Sequence, residues 1–223
     1  MTLLPSIRTL IHKELQLEWR NKYAFNGILL YVAGAVFVCF MSFNVKKGVV
    51  HPITWNALFW IIILFSAVNA VSKSFVGERE GRNLYYYTLI SPQALIISKI
   101  MYNIILLLVL GILGLGFYSL VMGNPVQDNG LFLSCLILAA VGFASALTLV
   151  SAIASKAGNN GTLMAILSFP VILPMILLII KISKNAMDGL ERSVSYDELL
   201  VLTAINAIVL TTSYILFPFL WRN

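Results

Sequence analysis

The chain has 223 residues, of which 60% are hydrophobic and 11% charged, with a formal net charge of +6. Soluble domains carry about 25% charged residues, so this composition excludes a water-soluble globule, a disordered chain, a collagen-like rod and a disulfide scaffold. The basic residues stand in short blocks beside apolar runs, a placement that reads as membrane topology and not as a nucleic-acid surface.

In residues 5–22, Ile7, Ile11, Leu15 and Trp19 recur every fourth position with Leu10 beside them, while Arg8, Lys13, Glu14, Glu18 and Arg20 fall largely elsewhere on the wheel. The pattern predicts an amphipathic helix over 1–23 lying in the membrane interface, with Trp19 and the basic residues at headgroup level. It is either a simple anchor or an elbow that braces the bundle and touches a partner; amphipathicity alone does not separate the two.

Six stretches then approach or exceed the roughly 20 apolar residues that cross a hydrocarbon core as helix: 24–43, 55–72, 100–121, 131–154, 163–180 and 199–219. None contains Asp, Glu, Lys, Arg or His, and period-two alternation is absent, so a β-barrel is not expected. The expected fold is all-α and polytopic: a six-helix bundle over 24–219 within a single transmembrane domain. Ala33-Gly34-Ala35 resembles a cleavage site but lies in mid-span, so the first span is expected to be retained. Ten basic residues fall on the side of the N-terminus and five on the other, which places both termini in the cytoplasm.

Trp55 and Trp60, at the start of the second span, read as interface anchors. The cytoplasmic segment after that span runs Phe75-Val76-Gly77-Glu78-Arg79-Glu80-Gly81-Arg82-Asn83-Leu84, followed by three tyrosines, Tyr85 to Tyr87. It is the most charged stretch of the chain and too long for a turn, and its arginines and tyrosines are types enriched where proteins meet partners. Asn69, Asn103 and Asn206 are read as amides that glue neighbouring helices. Ala140, Gly142, Ala144, Ser145 and Ala146 permit close helix approach, within the chain or across a dimer. Phe169-Pro170 and Pro174 predict a kinked or broken fifth span, as a hinge, a cavity lining or a matter of shape. Residues 181–198 mix apolar and charged positions and suit a short interfacial helix broken at Gly189, or a surface loop.

Cys39 and Cys135 lie in apolar runs without metal-ligand spacing and are expected to be packing residues. His12 and His51 are lone histidines with no second haem ligand in sight. There is no G-x-x-x-x-G-K-[ST], HExxH or G-x-S-x-G pattern, so this chain is not expected to hydrolyse ATP by the P-loop route, no enzyme activity is assigned, and the energy for any uphill transport would have to come from another subunit. With no ionisable group in the spans, a proton-coupled carrier is not expected either.

Six spans, an N-terminal interfacial helix, a charged cytoplasmic loop and no ATPase together resemble the permease subunit of an ABC-2-type transporter. Phe75, Glu78, Gly81 and Leu84 in the loop, Pro92 and Lys99 after it, Leu167-Ser168-Phe169-Pro170 with Pro174, and Phe217-Pro218 resemble the haem exporter protein B (CcmB) family of cytochrome c maturation. Where that family often has an acidic residue directly after the loop leucine, this chain has Tyr85, a departure that bears on the docking chemistry. The resemblance implies an ABC-2-type permease fold and a bacterial inner-membrane location. It makes residues 75–84, with Phe75, Glu78, Arg79, Glu80, Gly81, Arg82 and Leu84, an ATPase-docking loop. It also implies an ABC ATPase partner, two copies of each subunit, a haem-handling membrane protein and a small accessory subunit. Haem would be handled or transported, with no cofactor bound directly and no haem-binding residue assigned. An ABC-2 exporter for a lipid, drug or glycan shares every feature read from the residues themselves.

Overall fold

The computed structural model describes residues 3–21, 23–44, 50–72, 74–75, 91–156 and 160–222. Its helices are α1 (Leu3–Asn21), α2 (Tyr23–Asn44), α3 (Pro52–Ser72), α4 (Pro92–Met122), α5 (Asn129–Lys156), α6 (Asn160–Met187) and α7 (Tyr196–Arg222), with a 3-10 turn at Arg192–Ser195 before α7. All but α1 are long and apolar enough to cross a membrane. Large apolar side chains such as Leu30, Phe37, Leu120, Leu177, Ile208 and Phe219 stand exposed around the outside. In water such a surface would be untenable; in lipid it is the expected one. The all-α, six-span expectation holds.

Helix α5 is the axis, with α3, α4, α6 and α7 packed on it. Its small residues are spent inside the chain, since Ala140, Gly142, Ala144, Ser145 and Ala146 are all buried. A Cβ at Gly142 would lie 2.5 Å from Asn206 Oδ1 and 2.7 Å from Met175 Cε, so any larger residue must displace these side chains of α7 and α6. Asn206 donates from Nδ2 to the Leu138 carbonyl (2.9 Å), while its Oδ1 has no hydrogen-bond donor among the described residues and lies against Gly142. Overpacking of this kind costs about 1–3 kcal/mol. Gly142→Ala is therefore expected to lower the thermal unfolding temperature of the detergent-purified protein; an unchanged transition would show that the Asn206 and Met175 side chains give way at no cost.

Alternation of the spans puts α1, the turn after α3, the start of α4 and the ends of α5 and α7 at one end of the bundle. The far end carries residues 50–51, 123–128 and 188–195. There Trp55 and Trp60 are not interface anchors, as their position suggested, but core: each is 1% exposed. Their indoles donate to the Gly123 carbonyl and to Ser183 Oγ, both at 2.9 Å. Tyr118 donates to the Trp55 carbonyl (3.1 Å), and Phe59 and Phe132 pack among these rings. Indoles whose N–H groups find internal partners can be buried whole.

The expected interfacial helix over residues 181–198 is not found either. Helix α6 runs on through Lys181 and Lys184 to Met187, and the chain turns at Gly189, whose φ of +66° suits glycine. Asn185 then ties the turn to Ser195 (2.9 Å). Asp128 closes this end by capping α5 through the Gly130 and Leu131 amides (2.9 and 3.0 Å). It also receives a two-pronged contact from Arg192, at 2.7 and 2.9 Å. The Arg192 hydrogen bond holds the Asp128 carboxyl down to about 2, so this clasp stays charged throughout the neutral range.

Of the two remaining packing predictions, Cys135 is buried and Cys39 half-buried. Asn103 and Asn206 do join helices, whereas Asn69 is exposed. Helix α6 continues through Pro170 and Pro174 without a break.

Candidate functional site

Among the described residues, the only ionisable side chain buried against the loop root is Lys99. Helix α4 begins at Pro92, not at residue 100 as hydropathy suggested, because Ser91 caps it: its Oγ accepts from the Ala94 amide (3.3 Å), with proline at the first helical position. At about 1.5 Å per residue, α4's 31 residues run roughly 46 Å. That exceeds a hydrocarbon core of about 30 Å, and the excess at this end carries Lys99.

Lys99 is 4% exposed. Its Nζ lies 3.2 Å from Glu14 Oε1 on α1, donates to the Ser74 carbonyl at 2.7 Å and stands 5.6 Å from the centroid of the Phe75 ring. Moving an ammonium out of water costs several kcal/mol; a carboxylate, a carbonyl and an aromatic face offset that here. One turn on, Asn103 Nδ2 donates to Ser74 Oγ (3.0 Å) and to Thr148 Oγ1 of α5 (2.8 Å). One lysine and one asparagine thus tie α1, the end of α3, α4 and α5 into a single polar junction.

An apolar layer surrounds it. Phe75 is buried with Leu10, Leu95, Ile96, Ile100, Ala152, Phe217 and Trp221, its ring 5.8 Å from that of Phe217. Leu10 of α1 therefore points into the bundle, and Glu14, one turn on, reaches Lys99 from the same face. Burial by itself raises the Glu14 pKa, but Lys99 and then Lys13 outweigh it and hold the carboxyl below the 4.5 of an ordinary glutamate. Helix α1 thus braces the bundle and is no mere anchor, a choice that the wheel left open. The stripe Ile7, Ile11 and Leu15 is not the buried face. It lies about a quarter turn away, half-buried or exposed.

Of the expected loop residues, Phe75 is thus placed at the junction. Glu78, Arg79, Glu80, Gly81, Arg82 and Leu84, with the three tyrosines, lie outside the described residues. Phe169, Pro170 and Pro174 fall on the exposed face of α6, away from the junction. His12 is exposed on α1, and His51 sits at the far end, where its Nδ1 accepts from the Ile53 amide (3.4 Å) at the start of α3. A helix of 21 residues, about 31 Å, separates those ends, so the two histidines cannot ligate one haem within a chain. What sequence reasoning missed is Glu14 and the pairing of Lys99, which by its position reads only as a topology charge. Their one signal was a carboxylate one turn from Leu10 on the same side of α1.

Among curated proteins, none matches the chain. The family model described as CcmB protein matches residues 6–219, a span that takes in α1, the polar junction, the loop and all six membrane helices. The chain therefore belongs to the CcmB family, the membrane-permease components of haem-exporter ABC systems.

Proposed function

We propose that this permease couples ATP hydrolysis in a separate ABC subunit to the handling of haem during cytochrome c maturation, either by exporting haem or by driving release of a haem-loaded chaperone. The observation that carries the reading is the pinned root of the charged loop, where Phe75 and the Ser74 carbonyl are clamped to Lys99 immediately before Gly77–Leu84. In this reading residues 75–84 seat on the ATPase. When the ATPase closes, the loop is pushed and the load enters α3 and α4 through Phe75 and Lys99. Glu14 carries the same load to α1, and α6 yields around Phe169, Pro170 and Pro174, where the two prolines lack amide donors and soften the helix.

The reading further takes the end bearing the junction as cytoplasmic, in a bacterial inner membrane, with two copies of the chain beside the ATPase, a haem-handling membrane protein and a small accessory subunit. Haem enters as substrate. The first test is a deletion strain stained for covalent haem in its c-type cytochromes. Loss of every haem-stained band, restored by the gene, is the expected result. Normal cytochromes would overturn the reading and leave an ABC-2 permease whose cargo is a lipid, drug or glycan.

A further inference from the structure

We propose that the outward face of α1 is a binding site for anionic phospholipid, with headgroup phosphates held by Arg8, His12, Gln16 and Arg20. These four recur every fourth residue and all are exposed. His12, Gln16 and Arg20 line an open groove of about 590 Å³ together with Lys13, Leu15 and Leu17, so cationic and apolar surface meet in one cleft. Arg8 and Arg20 make no ion pair with a described residue, whereas Glu14 is turned inward to Lys99. The junction thus turns one of the two carboxylates of this helix inward, and the stripe of Arg8, His12, Gln16 and Arg20 carries no acidic residue.

The second half of the site is apolar. At about 100° per residue, Ile7, Ile11 and Leu15 occupy the sector between the bundle-facing line of Leu10 and Glu14 and the cationic stripe, with Glu18 the one acidic position among them. Leu15 is 38% exposed. A helix fixed to the bundle on one side, apolar on the next and cationic beyond that matches the order of acyl chain, phosphate and water at a membrane surface. An acidic protein surface would complement the arginines but would leave the apolar sector without a partner. Phospholipid satisfies both.

The test uses the full-length protein in nonionic detergent, titrated with fluorescent phosphatidylglycerol and, separately, with the matching phosphatidylcholine. Each arginine near an anionic surface contributes about 1 kcal/mol, roughly fivefold, so with two arginines the wild type is expected to prefer phosphatidylglycerol by about twenty-five-fold at low salt. The preference should fall below about twofold in Arg8→Gln/His12→Gln/Arg20→Gln, and in the wild type at high salt, where surface charges are screened. All three positions are exposed, so folding should survive. Should the triple variant aggregate, Arg20→Gln alone decides the matter, with an expected loss of about fivefold in the preference. Equal binding of both lipids by the wild type, or an undiminished preference in the variants, would overturn the proposal. So would a variant that keeps the preference but no longer co-purifies with an ATPase subunit, since the face would then belong to a protein partner.

Discussion

Replacing Lys99 by methionine is expected to release α1 from the bundle while the six membrane helices stay folded. Methionine fills the space beside Phe75 but leaves Glu14 without its main counter-charge and the Ser74 carbonyl without its donor. Removing one partner of a buried pair costs about 3–5 kcal/mol; Glu14 retains Lys13 at 3.0 Å and is 16% exposed, so about 2–3 kcal/mol is expected here. The load falls on α1, whose hold on the bundle includes Leu10 and this pair. It should therefore appear as faster tryptic cleavage after Arg8, Lys13 and Arg20. Adding Glu14→Gln to Lys99→Met should recover part of the loss, because the orphaned carboxylate is gone. A single variant as resistant to trypsin as the wild type would dismiss the junction as a brace.

The same pair sets a pH dependence with a definite sign. Glu14 is held below its ordinary value in the folded protein, so its contribution is present above about pH 4.5 and is lost as the pH falls through the lower folded-state value. Protection of α1 from an acid-active protease should accordingly drop in that acidic window in the wild type. In Lys99→Met the drop should begin at higher pH, because burial then acts on Glu14 with only Lys13 opposing it.

The second large effect is expected in the loop itself. Glu78→Lys with Glu80→Lys reverses two charges in the segment proposed to dock the ATPase. Like-charge juxtaposition across an interface costs several kcal/mol, so co-purification of the ATPase should fall by at least about tenfold, and covalent haem in the cytochromes should fall with it. Thermal stability measured on the same variant separates a loss of docking from a loss of folding. Phe75→Ala is the contrasting variant: removing a buried aromatic costs about 3–5 kcal/mol, and it should lower stability and coupling together. Unchanged co-purification and unchanged cytochromes in the charge-reversed protein would remove residues 78–80 from the mechanism and leave the rest of the junction standing.

Six spans, the amphipathic first helix and the absence of an ATPase motif were legible in the residues because each is a property of local composition. A run of about 20 apolar residues has few alternatives to a membrane helix, whatever surrounds it. Helix ends were less legible: α4 starts at Ser91 and Pro92 because a cap and a proline set its first turn, while hydropathy marks only where charge stops. The far-end segment is misleading for a related reason. Lys181 and Lys184 look like a break in the membrane run, yet α6 carries them outward as continuous helix, and Lys181 meets Glu198 of α7 at 2.5 Å.

By itself, then, the sequence determined what must be in lipid, which loop carries the charge and which family pattern the chain follows. Tertiary structure alone decided which face of α1 meets the bundle, that Trp55 and Trp60 are core, and that Glu14 and Lys99 meet. The reason is geometric. Periodicity reports that one side of a helix differs from another, but with two apolar sectors on α1 and two apolar media available, protein and lipid, it cannot say which sector meets which. That choice follows from a lysine 85 positions away in the chain, buried by the close packing of α1, α4 and the turn after α3, which had to find its counter-charge on the helix lying across it.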